Sequence, residues 1–393
     1  MTEQLDTFGI IIVAIKVVVV FGFLIMSVML TIWAERRVVA RMQQRIGPNR
    51  VGPFGILQAL ADGVKLFFKE DIRPAAAEPG VYMIAPLAAL VPALMSFAIV
   101  PFGDDVTILG RYVRLQLTDL NVGILFFLAM GSLMVYGVVL AGWSSGSAYP
   151  LLGGVRASAQ MISYEMAMSL SVVAVVIQAG TLSTRGIVEA QAGTTLAIVP
   201  HWFVFSQLPA FMIFMIAALA ETNRAPFDLP EAETELVAGF HTEYSGIKFA
   251  MFFLAEYLHL IAMSAIAVTL FLGGWRGPDF GILTPVWPVV WFLGKLGALI
   301  FLFMWIRATL PRFRYDILMR FGWKVLLPAA LGWVAVSAVL VVLPSEVDRV
   351  TLGAATALVF ALAFSTWIAM ITRRRFGSLS PAALLPFGRK RKP

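Results

Sequence analysis

Apolar runs of about 18 residues or more recur from one end of this chain to the other, each long enough to cross a bilayer as a helix. Inside lipid, every backbone N–H and C=O must be satisfied within the segment or by a closed barrel. Runs of this length and uniformity take the helical solution. They fall at 10–33, 81–101, 120–142, 157–179, 202–219, 249–272, 286–306, 326–343 and 350–371. The expected fold is therefore all-α, a polytopic membrane protein of about nine transmembrane helices. The first run is too long for a signal-peptide core and follows Glu3 and Asp6 rather than a basic leader, so it counts as a true span. Residues 1–372 read as a single transmembrane domain with no soluble domain or linker. Residues 373–393 read as a basic, flexible cytoplasmic tail attracted to the membrane surface; the expected partner is the lipid bilayer and not nucleic acid.

The chain has no cysteine, which excludes disulfides, zinc–thiolate sites and cysteine-ligated iron–sulfur clusters. Its three histidines, His201, His241 and His259, are not spaced for a bis-histidine haem. Any redox chemistry must run through a partner, and no metal site is expected.

Orientation follows from the placement of Lys and Arg in the connections. With the loop after the first span on the cytoplasmic side, that side collects 23 of the 30 basic residues and the opposite side 5. The amino terminus is expected outside and the carboxyl terminus inside.

On that cytoplasmic side lies an acidic loop at 221–248, ETNRAPFDLPEAETELVAGFHTEYSGIK, which with the next span gathers Glu221, Asp228, Glu231, Glu233, Glu235, Glu243 and Glu256. Only Arg224 and Lys248 stand against them. Crowded carboxylates repel one another, which raises their pKa values toward neutrality and suits them to holding or passing protons. Pro226 and Pro230 argue for irregular backbone here, which is tolerated at membrane depth where it lines a water-filled cavity. A wet acidic pocket fed from the cytoplasm is the expectation; a merely solvated acidic loop is the bland alternative.

Residues 54–70 place Leu57, Leu60, Ala61, Val64, Phe67 and Phe68 on one helical face and Gln58, Asp62, Lys65 and Lys69 on the other, an amphipathic helix for the membrane surface. Ionisable side chains inside spans are costly and mark a polar cavity or a partner. Lys16, Glu165, Glu256 and Lys295 qualify. Ser158 and Ser169 share a helical face with Glu165, and Glu221 is expected at a similar depth. A proton-carrying role and an interior salt bridge both remain open for Glu165. Glu35, Arg36 and Arg37 after the first span, with Arg307, Arg312 and Arg314 after the seventh, read as headgroup anchors or as the mouth of a cavity for a ligand with an apolar tail and polar head.

The segments AERRVVARMQQRIGPNRVGPFGILQALADGVKLFFKED, GWSSGSAYPLLGGVRASAQMISYE, ETNRAPFDLPEAETELVAGFHTEYSGIKFAMFFLAEY and IRATLPRFRYDILM resemble the ND1-type membrane subunit of respiratory complex I, the proton-pumping NADH:quinone oxidoreductase. The likeness runs from the first span through the eighth. It implies a bacterial plasma-membrane protein that carries no flavin, haem or cluster and takes a quinone, ubiquinone or menaquinone, as substrate. Its implied partners are the other complex I subunits, with hydrophilic-arm subunits completing a quinone chamber. By position, Glu35, Arg36, Arg37, Asp62, Lys65 and Arg307 correspond to that chamber and its access. Glu165, Glu221, Asp228, Glu231, Glu233, Glu235 and Glu256 correspond to a proton relay. The family also implies that spans 2 to 6 resemble half of an antiporter-like protein. The ninth span and basic tail depart from many family members. A related membrane subunit of an energy-converting hydrogenase, a stand-alone ion transporter and a pure scaffold are the alternatives; the intact AERR and GPNRVGPFG segments favour the quinone version.

Overall fold

The structure is a computed structural model, and it describes residues 7–108, 111–195, 199–228, 236–278, 286–342, 353, 355–360, 362 and 363. Glu231, Glu233 and Glu235, most of the expected ninth span and the tail at 373–393 lie outside the described residues.

Helix α1, Thr7–Met42, contains no proline and is apolar for most of its length. Its buried positions are Leu24, Val28, Thr31, Glu35 and Ala40. The first four follow the i, i+4, i+7 spacing of one helical face, so the inward stripe ends on a carboxylate. A 3-10 turn at Pro53–Gly55 leads into α2, Gln58–Phe68, which lies against α1 and keeps its apolar face outward, with Phe67 and Phe68 exposed.

Helix α3, Pro79–Met95, precedes a short antiparallel pair, β1 Val106–Ile108 and β2 Arg111–Val113, with Thr107 opposite Tyr112. Helix α4, Gly123–Ser144, packs between α3 and α5, Ala148–Ala179. The sequence places the start of this fourth span at 157, but α5 begins at Ala148. The small residues that look like a loop are the reason, because Gly153 lets α5 approach the backbone of Gly239 so closely that a Cβ would sit 2.8 Å away. Gly180, at φ 70°, ends α5 with its N–H on the Val176 carbonyl.

Helix α6, Thr184–Ala190, is capped by Ser183, whose Oγ accepts from Gly186 N. The expected fifth span is broken into α7, Phe203–Ser206, and α8, Leu208–Glu221, with Pro209 in the first turn of α8. A 3-10 turn, Gly239–His241, leads to α9, Gly246–Phe271, the axis of the molecule. Every residue from Tyr257 to Phe271 is buried, as an all-round apolar helix requires. Helix α10, Trp287–Thr309, packs on α1 and α9. Helix α11, Tyr315–Phe321, continues through a π-helical turn at Gly322–Leu326 into α12, Leu327–Val342, which lies against α5.

Among the described residues, seven helical segments are long and apolar enough to cross a membrane, and α8 is a shorter apolar helix. The chain is an all-α, multi-pass membrane protein.

Candidate functional site

At the end of the inward stripe of α1, the Glu35 carboxylate is 4% exposed and sits among three donors. Oε2 accepts from Arg224 Nη1 at 2.8 Å and from the Tyr257 hydroxyl at 2.7 Å, and Oε1 pairs with Arg307 Nη1. Arg224, 5% exposed, donates through Nε to Glu256 Oε1 at 3.1 Å and lies 4.0 Å above the ring of Tyr257. Burial alone would pull its pKa down, but the charges of Glu35 and Glu256 hold it above the usual arginine value. Arg312 Nη2 lies 2.9 Å from Asp228 Oδ2. A network of three carboxylates and three guanidiniums thus joins α1, α9, α10 and the segment after α8.

That segment leaves the helix after Glu221 and takes Asn223 through φ 50°. Gln160 of α5 holds both ends of it, donating from Nε2 to the Ala220 and Phe227 carbonyls at 2.7 and 2.8 Å. Phe313 N donates to the Pro226 carbonyl, which brings the Arg312 loop alongside.

A second group lies one helix further in. His259 Nε2 of α9 is 3.2 Å from Glu221 Oε1, with both residues buried, and Glu221 Oε2 has no partner among the described residues. Ser132 Oγ of α4 donates to Glu165 Oε1. Glu221 and His259 lie within electrostatic reach of the Glu165 carboxylate. The neighbouring Gly131 makes the room, since a Cβ there would meet Glu221 Oε1 at 3.2 Å. A cavity of about 70 Å³, lined in part by Asn223, His241, Phe253 and Glu256, borders the first group at Glu256. It is large enough for a few water molecules, and Asn223 Oδ1 has no partner among the described residues. Burial drops the pKa of His241 to about 4, so this edge of the cavity stays uncharged at neutral pH.

Several sequence expectations change in detail. Among the described residues, the expected acidic cluster carries counter-charges as well: Glu256 and Asp228 are met by arginines, and Glu221 by a histidine. Glu165 takes its serine from α4, whereas Ser158 bonds the Val155 carbonyl within its own helix. The six charges at the ends of the first and seventh spans divide by helical face. Glu35 turns inward and the exposed Arg307 reaches it, Arg36 pairs with Asp62 of α2 at 2.7 Å, Arg37 lies over the rings of Trp33 and Phe54, and Arg314 stays near Asp316. Gln58 also donates to Asp62, at 3.0 Å, while Lys65 is exposed. Lys295, deep in α10, holds three backbone carbonyls rather than a carboxylate. Sequence reasoning passed over Arg224, Tyr257 and His259 as site residues. The available signal was a run, Glu256, Tyr257 and His259, of polar side chains within two turns of an otherwise apolar span.

The helical membrane fold and its buried carboxylate–guanidinium network define a multi-pass membrane protein with a charged interior site. A family model described as NADH dehydrogenase matches residues 15–338. Two relatives, each named as the H subunit of NADH-quinone oxidoreductase, from Frankia alni and Frankia casuarinae, are each 54% identical over 340 residues, covering 86% of this chain and 74% of theirs. The chain belongs to the NADH dehydrogenase family, as a membrane subunit of the NADH-quinone oxidoreductase type.

Proposed function

We propose that this protein, with hydrophilic-arm partners, walls a quinone chamber in a bacterial plasma membrane and couples quinone reduction to proton translocation through its buried carboxylates. The observation that carries the reading is Arg224, a buried guanidinium clamped between Glu35 and Glu256, with Nη2 left without a partner among the described residues. The network around it pairs its charges one for one, so the negative charge of a reduced quinone headgroup arriving beside it is not already neutralised. Protons must answer it. Glu256 and Asn223 line the cavity, and the His259–Glu221 pair lies within electrostatic reach of Glu165, which supplies the groups a proton would visit.

In this reading Glu35, Arg307, Arg36, Arg37, Asp62 and Lys65 serve the chamber and its access. Glu256, Asp228, Glu221 and Glu165 form the relay, together with Glu231, Glu233 and Glu235. The amino terminus is outside and the carboxyl terminus cytoplasmic. The names of the relatives favour this reading over a hydrogenase component or a solitary transporter. The decisive experiment places Glu165→Gln and Glu221→Gln separately in the assembled complex and follows NADH-driven proton uptake in vesicles. Loss of pumping in either supports the relay, and unchanged pumping per NADH in both removes these residues from it.

A further inference from the structure

Away from the Glu35 network, a cavity of about 230 Å³ opens between α1, α10 and the segment around the β1–β2 pair. Two cations, Lys16 and Arg114, border it, and its walls include Val19, Phe23, Leu115 and Leu293. We propose that this groove binds an anionic phospholipid, with its phosphate between Lys16 and Arg114 and an acyl chain along those walls.

Depth is the first argument. Lys16 and Arg36 lie on the same helix 20 residues apart, about 30 Å at the usual rise, which matches the hydrocarbon thickness of a bilayer. With Arg36 at one interface, Lys16 stands at the headgroup level of the other. Charge is the second argument. Among the described residues lining the groove there is no carboxylate. Asp119, 3.6 Å from Arg114 Nη1, steadies that guanidinium from outside the groove. Two cations over a nearly wholly apolar wall match a phosphate carrying acyl chains, whereas a free anion has no use for the walls and a neutral ring none for the cations. Access is the third. Val17, Val18 and Val19 are exposed on this stretch of α1, so a lipid reaches the groove laterally.

The test uses the assembled complex carrying this protein, equilibrated with photoactivatable phosphatidylglycerol or phosphatidylcholine of identical chains, and maps the crosslinked peptides. Phosphatidylglycerol should label the peptides around Lys16–Phe23 and Arg114–Leu117 up to about thirty-fold more than phosphatidylcholine, as two cations near a membrane surface imply. Lys16→Gln with Arg114→Gln should remove that preference while labelling elsewhere is unchanged. Equal labelling by both lipids in the unaltered complex overturns the proposal, and needs no variant to fold. So does a preference that survives the double substitution, displacement of the probe by inorganic phosphate alone, or exclusive labelling by a quinone photoprobe.

Discussion

His259 Nε2 stands 3.2 Å from Glu221 Oε1, and the two side chains, from residues 3% and 2% exposed, meet between α8 and α9. A buried carboxylate that meets one imidazole can share or exchange a proton with it. Replacing His259 by Leu leaves Glu221 buried without its partner, a loss of about 1–3 kcal/mol. The expected result is reduced proton translocation per NADH with quinone binding retained, read as vesicle acidification against quinone-analogue affinity. Gly131→Ala, which crowds the same oxygen at 3.2 Å, should weaken pumping in the same direction.

Arg224 bridges two carboxylates that have few other cations. Arg224→Met takes from Glu256 the arginine it pairs with and leaves Glu35 with Arg307 and the Tyr257 hydroxyl; it should cost about 3–5 kcal/mol, seen as a lowered melting temperature or failed assembly. Arg224→Lys should not rescue it, because one ammonium cannot reproduce the two-edged donation to Glu35 and Glu256 over the Tyr257 ring. Adding Glu256→Gln to Arg224→Met should recover part of the loss, because it neutralises the carboxylate that has lost its arginine while the Glu35–Arg307 pair stays intact.

His241 gives a pH dependence of definite sign. Burial holds its folded pKa at about 4, below the unfolded value near 6.5. The unfolded chain therefore binds more protons between these values, so stability is fully present above about pH 6.5 and falls as pH drops toward 4. His241→Gln should flatten this part of the melting-temperature profile; an unchanged acid limb would contradict it.

Lys295 caps the end of α9 from across the bundle. Its Nζ donates to the carbonyls of Leu272, Gly274 and Arg276 at 2.6, 3.0 and 2.6 Å and lies 4.2 Å over the ring of Trp202. Lys295→Met leaves those carbonyls without their donor, and a loss of about 2–4 kcal/mol is expected from several hydrogen bonds to a charged group. Thermal unfolding of the solubilised complex measures it, and activity per assembled complex should change little.

Much of the architecture can be read from residue order alone, and particular elements show why. The bilayer forbids unsatisfied backbone, so the apolar runs behind α1, α4, α9 and α10 had little choice but helix. The stripe Leu24, Val28, Thr31, Glu35 turns one of three adjacent charges inward by periodicity, and the same geometry sends Arg36 to Asp62 and Arg37 to Trp33. The start of α5 was less legible, because glycine reads as loop until a close neighbour, here Gly239, gives it a reason to be helical.

What residue order by itself determined is the membrane class, the helical spans and the presence of costly buried charges, since each follows from local length, polarity and period. Which charge meets which was decided only in three dimensions. Glu35 and Arg224 are 189 residues apart, and Glu165 and Ser132 sit on different helices. Ion pairs and hydrogen bonds act over a few ångströms, so they depend on how helices cross, and that crossing is set by the packing of the whole bundle and not by any one segment.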